Sequence, residues 1–193
     1  LLAGYAPAYS AAMLDAPVLA QANDALQQLL KTHDPMPAMV IDAQWNVLHF
    51  NRGAQWLLTT LMPWIAEVSA PAPVNMLDLL AHPEGLTLHM LNLPQKGPAM
   101  LAQLREEVAT QPALQPRFAA LAEFLLSRIG RQEFSAGSAR PTDPLLTTRF
   151  VTPYGELAFF SMFSTFGTPQ DITLASLRVE HLFAADEATT SIL

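Results

Sequence analysis

The sequence predicts an α+β domain: one antiparallel sheet with helices packed over one face and an N-terminal helix on the other. The stretch 145–166 (LLTTRFVTPYGELAFFSMFSTF) has two β-prone runs around Pro153-Tyr154-Gly155, which is typical of a β-hairpin. Between 75 and 129, by contrast, apolar residues recur at helical spacing. The 193 residues are enough for one domain with a sizeable core.

The second strand of the hairpin is apolar on both faces, so each face needs a covering layer. Successive side chains alternate between the faces. One face carries Leu157, Phe159, Ser161, Phe163 and Thr165, and the other carries Ala158, Phe160, Met162, Ser164 and Phe166. The small Ser161 and Thr165 leave room beside the rings of Phe159 and Phe163, which indicates the floor of a cavity. A plain core strand covered on both sides explains the same pattern.

The N-terminal part divides into a connector and a helix. Residues 1–14 (LLAGYAPAYSAAML) are small, apolar and turn-rich, and the chain lacks an initiator Met, so we expect a connector arriving from an upstream part. Pro17 opens a helix to about Lys31, with Asp15 as its cap. Its apolar stripe consists of Val18, Ala22, Leu26 and Leu29. This stripe is expected to cover Phe160, Met162 and Phe166 on the outer face of the sheet.

Two short strands and a capped helix follow. Met39–Asp42 and Asn46–Phe50 are predicted as strands around a polar turn, and Asn51 is placed to cap a helix from Arg52 to about Met62. The apolar face of this helix consists of Ala54, Leu57, Leu58 and Leu61. Strand, turn, strand, Asn and helix is the opening pattern of PAS-like domains.

The middle of the chain predicts three helices and a loop. Asn75 caps the first helix (NMLDLL), with Asp78 placed to complete a capping box. The second runs from about Pro98 to Thr110 with Leu101, Leu104 and Val108 inward, and the third from about Pro116 to Ile129 with Phe118, Leu121, Ala122, Leu125 and Ile129 inward. Residues 131–143 (RQEFSAGSARPTD) are expected to form a polar, mobile loop. Leu177–Phe183 is predicted as the last strand, before a helix starting near Ala185.

Two motifs point to a known family. Residues 82–86 read HPEGL and residues 166–173 read FGTPQDIT. With these motifs the chain resembles, from end to end, the ligand-binding domain of MmyB-like transcription regulators, a PAS-like module that follows an XRE-type helix-turn-helix domain. Where the family often continues with an Asn-Trp pair, this chain has Asn92-Leu93.

The resemblance implies a sensory role. Residues 15–193 would be the PAS-like domain and 1–14 the connector from an N-terminal DNA-binding domain. The ligand would be apolar or amphipathic, with fatty-acid-like compounds the suggested class, held between the sheet and the helices of 75–129. Trp56 is favoured among the three tryptophans because it lies on the helix after Asn51. The expected ligand-binding residues are Trp56, Leu77, Leu80, Phe118, Leu121, Leu125, Phe159, Ser161 and Phe163. A homodimer in the cytoplasm is expected, in which the ligand shifts DNA affinity by linkage.

Composition and motifs argue against other functions. A net charge of −7 opposes binding to a phosphate backbone, so DNA would be contacted only through the N-terminal domain. The chain has no cysteine. It also lacks a hydrolase motif, a phosphate-binding loop and histidines grouped at metal-binding spacing, so the sequence predicts neither catalysis nor a cofactor or metal site. Glu106-Glu107 is interpreted as a solvated helix face. Arg178 shares a strand face with Glu180 and is a weak candidate for anchoring a ligand carboxylate. The competing hypothesis is a ligand-free dimerisation module whose cavity is filled by Phe and Leu.

Overall fold

The computed structural model describes residues 19–67, 74–139, 145–167 and 172–193. Within them, five strands form one antiparallel sheet in the order β2-β1-β5-β4-β3. The strands are β1 Ala38–Ile41, β2 Val47–Phe50, β3 Thr148–Thr152, β4 Gly155–Ser164 and β5 Arg178–Ala184. The helices are α1 Ala20–His33, α2 Arg52–Leu61, α3 Met76–Ala81, α4 Leu93–Thr110, α5 Gln115–Ile129, α6 Arg131–Ala139, α7 Ile172–Ser176 and α8 Glu187–Ile192.

The predicted hairpin is confirmed and forms one edge of the sheet. Strands β3 and β4 pair from Thr148 opposite Phe159 to Thr152 opposite Gly155. Gly155 has a φ of 128°, a conformation that glycine adopts without the cost that a side chain would add. Strand β4 then pairs with the central strand β5, which pairs on its other side with β1.

The inner face of the sheet carries the main core. Phe159 and Leu157 of β4 are fully buried there, beneath the apolar faces of α2, α3, α4 and α5. Helices α3, α4 and α5 also pack on one another, so the helices form more than one layer over the sheet. This arrangement and the strand order are those of an α+β PAS-like fold.

Helix α1 packs on the outer face of the sheet, as predicted, but it covers only part of the apolar surface that it was expected to cover. Leu26 and Leu30 of α1 are buried against Ala38, Val40 and Val179 of the sheet, and Phe166 packs against the same cluster. Phe160 stacks on Phe183 with 5.3 Å between ring centroids, and Met162 is 56% exposed. The described part of α1 therefore covers the β1 and β5 side of this face but leaves Met162 open. Asp15, Pro17, Val18 and the connector 1–14 lie outside the described residues.

Asn51 joins three elements at the start of α2. Its side-chain oxygen accepts hydrogen bonds from the backbone of Ala54 and of Ala38, each at 2.9 Å. Its amide donates to the backbone oxygens of Leu30 and Met36. The predicted cap is thus confirmed, and the same buried side chain also connects α1 to β1.

Helix α6 corrects the prediction of a polar loop for residues 131–139, and residues 140–143 lie outside the described residues. It begins directly after Gly130, whose φ is 85°, and it packs on α4 and α5. A Cβ on Gly137 would collide with the backbone oxygen of Pro94, so glycine allows α6 to approach α4 closely. Tertiary packing therefore overrides the weak helix propensity of this polar segment.

Two local details of the prediction were also wrong. Helix α4 begins at Leu93 rather than near Pro98, because Pro94 suits the first turn of a helix and Pro98 is accommodated inside it. The Asn75 side chain caps α3 by accepting from the backbone of Leu77, but the Asp78 carboxylate accepts from Arg117 rather than closing a capping box.

Candidate ligand cavity

A cavity of about 500 Å³ lies between the inner face of the sheet and helices α2, α3 and α4. Strand β4 contributes Phe159, Ser161 and Phe163 to its wall, and α2 contributes Leu57 and Leu58. Most of the remaining lining is apolar. The prediction of a cavity over the ring and small-residue face of β4 is in agreement with this geometry.

Four of the nine residues predicted for ligand binding line this cavity: Leu80, Phe159, Ser161 and Phe163. The other five lie outside its lining. Leu77, Leu121 and Leu125 are fully buried in the helical layer, where α5 packs on α3 and α4. The residues that face inward on α5 thus contact other helices rather than the cavity.

The two predicted aromatic walls outside the cavity have other partners. Phe118 is half-buried with the Arg105 guanidinium 5.8 Å from its ring centroid. Trp56 lies against Tyr154 with 5.7 Å between ring centroids. Trp45, from the turn between β1 and β2, forms the tryptophan wall of the cavity instead.

The turn that presents Trp45 is built around Asp42. The Asp42 carboxylate accepts hydrogen bonds from the backbone of Gln44 and Asn46, and Trp45 between them has a φ of 66°. A positive φ is costly for a bulky side chain and persists only where the surroundings hold it. The sequence carries no direct signal for this conformation, and among the three tryptophans considered as cavity walls the prediction favoured Trp56 over Trp45.

Glu107 of α4 holds Trp45 and Arg178 together. Its carboxylate accepts from Trp45 Nε1 at 2.9 Å and from both terminal nitrogens of Arg178 at 3.0 and 2.9 Å. The Arg178 guanidinium lies 4.4 Å from the Trp45 ring centroid and 5.2 Å from that of Phe163. The interpretation of Glu107 as solvated was therefore wrong, and Arg178 is already occupied by a carboxylate of the protein.

Two charged residues line the cavity, Lys96 of α4 and Glu180 of β5. Burial raises the pKa of the Glu180 carboxyl, and the charges of Lys96 and Arg178 and a hydrogen bond from Ser161 oppose this rise. Burial lowers the pKa of Lys96, and the charge of Glu180 opposes that change. Lys96 Nζ donates to the backbone oxygen of Leu146 at 3.2 Å.

Some of the residues that line the cavity are also exposed to solvent. Leu145 is 55% exposed and Phe163 is 39% exposed, although both line it. Methionines line it too: Met39, Met76, Met90 and Met100. Methionine adapts its shape easily, which suits a wall that contacts flexible apolar chains.

Over the described ranges, no group of three or more His, Asp or Glu side chains is arranged to hold a metal ion. None of the helices described there combines the length and apolar character needed to cross a bilayer.

Comparison with known families agrees with the fold and the cavity. The model of the MmyB-like transcription regulator ligand binding domain matches residues 22–193, a range that contains all five strands and every residue lining the cavity. No curated protein matches the chain. The matched family is one of ligand-binding domains and not an enzyme family. Because the match spans most of its length, the chain belongs to the family of MmyB-like transcription regulator ligand-binding domains.

Proposed function

We propose that this domain is the sensor of a helix-turn-helix transcription regulator and binds a fatty-acid-like molecule in the cavity. The observation that carries the proposal is the cavity of about 500 Å³, which has mostly apolar walls and few polar groups. Ligand sites in proteins commonly have volumes of about 300–1,000 Å³ and this kind of lining. An apolar chain would contact the methionines and rings, and its polar end would meet the few polar groups.

The ligand would alter DNA binding through linkage. DNA would be bound by an N-terminal helix-turn-helix domain, which the family resemblance supports, in a cytoplasmic homodimer. A ligand that binds one arrangement of the dimer better than the other shifts the equilibrium, typically by about 1–3 kcal/mol of coupling. The exposed Met162, next to the stacked rings of Phe160 and Phe183, supports the outer face of the sheet as the dimer surface.

Thermal unfolding with dodecanoic acid, together with native mass spectrometry of the purified chain, tests the proposal. A ligand at 100 times its Kd stabilises a protein by about 2.7 kcal/mol. For a domain of this size that corresponds to a rise in Tm of roughly 5–11 °C. The mass spectrum should show one dodecanoate per chain.

Ser161→Trp should abolish this rise, because the ring would fill the cavity beside Phe159 and Phe163. Val151→Trp is the matched control, since it adds the same ring at an exposed position of the same hairpin that does not line the cavity. The absence of any rise in the unmodified protein, or an equal rise in the two variants, would show that the cavity does not bind the ligand.

A further inference from the structure

Lys96 and Glu180 face the same cavity but do not form an ion pair with each other. They influence each other's pKa, so they are close enough to interact through space. An ammonium group has three donors, and among the described residues Lys96 uses one of them, for the Leu146 backbone oxygen. The Lys96 ammonium and the Glu180 carboxyl can therefore both form further hydrogen bonds with a polar group placed between them in the cavity.

Among the described residues around Glu180, one cation is not committed to another carboxylate. Arg178 on the same strand is held by Glu107 of α4. Ser161 on β4 donates to Glu180, and Met39, which is opposite Glu180 on β1, is uncharged. Helices α2 and α3 and strand β3 contribute no charged side chain to the lining. Lys96 is thus the cation available to an anionic group placed beside Glu180.

From this placement we infer that Lys96 and Glu180 form the head-group site, in which a ligand carboxyl group accepts from the Lys96 ammonium and shares one proton with the Glu180 carboxyl. The inference rests on the proposed function, because it assigns the polar end of the same ligand. It makes the preferred ligand a long-chain carboxylic acid rather than a neutral alcohol or amide.

The shared proton follows from charge balance. A bound carboxylate beside an ionised Glu180 would place two negative charges against one positive charge in an apolar cavity. Two carboxylates that share a site cannot both stay ionised, and one of them is protonated instead. Because burial already raises the pKa of the Glu180 carboxyl, an ionised Glu180 accepts a proton at little cost when a carboxylate binds beside it. Binding of the carboxylate should therefore take up one proton from solution.

Isothermal titration calorimetry with decanoic acid and 1-decanol measures this proton uptake. Titrations at pH 7.5 in two buffers of different ionisation enthalpy should show about one proton taken up per decanoate and none per decanol. The affinity for decanoate should fall by up to tenfold per pH unit above neutrality, as linkage to one proton requires. The affinity for decanol should stay constant with pH.

Two variants separate the roles of the two residues. Glu180→Gln should remove the proton uptake and flatten the pH dependence, whereas Glu106→Gln, which removes the same charge from an exposed position on α4, should change neither. Lys96→Met should weaken decanoate binding at least tenfold and leave decanol binding unchanged. Lys31→Met is its control, since Lys31 is exposed on α1 and is the other lysine of the chain.

Lysine acetylation followed by mass spectrometry needs no variant and covers the case in which a substitution prevents folding. Decanoate should slow acetylation of Lys96 and leave that of Lys31 unchanged. Equal binding of decanoate and decanol without proton uptake, or acetylation of Lys96 that decanoate does not slow, would overturn the head-group site while leaving the proposed function intact. Binding of neither compound would overturn both.

Discussion

The Glu107 carboxylate connects Trp45 of the cavity wall to Arg178 of β5, and its replacement tests the strength of this connection. Trp45 and Arg178 donate three hydrogen bonds to it. The side chains of Glu107 and Arg178 are 18% and 20% exposed. In Glu107→Gln, the amide keeps the shape of the side chain but loses its charge. The NH₂ group takes the place of one carboxylate oxygen, so it faces a donor of Trp45 or Arg178 and cannot accept a hydrogen bond from it.

The expected loss of folding stability is large because the substitution leaves the Arg178 cation without its paired carboxylate. Breaking a buried ion pair by removing one partner costs about 3–5 kcal/mol, and the residual exposure of both side chains places this case at the lower end, about 3 kcal/mol. The buried Arg178 Nε has no hydrogen-bond partner among the described residues, and both terminal nitrogens donate to Glu107. For a domain of this size, 3 kcal/mol lowers Tm by roughly 6–12 °C.

Urea unfolding followed by tryptophan fluorescence measures this cost for Glu107→Gln, Arg178→Met and the double variant. Glu106→Gln on the same helix is the control and should stay within about 0.5 kcal/mol of the unmodified protein. The double variant should be less destabilised than the sum of the single variants, by about 1–3 kcal/mol. Equal effects of Glu106→Gln and Glu107→Gln, or fully additive single effects, would show that the Glu107–Arg178 pair does not form.

Two further predictions concern the ligand-free domain. A raised pKa of Glu180 contributes stability that is present below its ordinary value of 4.5 and is lost as the pH rises through the folded-state value. Glu180→Gln stays neutral, so in urea unfolding its stability relative to the unmodified protein should increase from pH 5 to pH 8; a constant difference would contradict the raised pKa. Gly137→Ala should destabilise the domain by about 1–3 kcal/mol because its Cβ meets the Pro94 backbone, whereas Gly167→Ala, with open space around it, should stay within about 0.5 kcal/mol. Equal effects of the two alanine substitutions would contradict the close packing of α6 on α4.

The elements that could be predicted from the sequence are those fixed by local chemistry. The turn before Gly155 and the caps at Asn51 and Asn75 depend on residues within a few positions of each other, and all three are present. Helix α6 could not be predicted in this way. Its segment is polar and rich in small residues, and its helical state depends on the contact of Gly137 with Pro94, which lies far away in sequence.

The prediction identified the floor of the cavity and Leu80 of α3, but none of the lining residues of α2 or α4. Alternation in β4 identified Phe159, Ser161 and Phe163, because a strand has only two faces. Helical periodicity identified the apolar face of α5 equally well, but periodicity does not show whether such a face contacts a cavity or another helix. Glu107 illustrates the same limit, since its partners Trp45 and Arg178 are 62 and 71 positions away.

The central strand β5 connects the cavity to the outer face of the sheet. Glu180 and Leu182 face the cavity, while His181 and Phe183 face outward, where the His33 ring at the end of α1 lies 4.9 Å from each of their rings. His33 Nε2 also donates to the backbone oxygen of Leu182 at 3.0 Å. Because successive residues of one strand point to opposite faces, a ligand that shifts the β5 backbone at Glu180 or Leu182 would also shift the contacts of His181 and Phe183 with α1. The proposed coupling between the ligand and α1 would therefore pass through strand β5 and would not involve the helical layer.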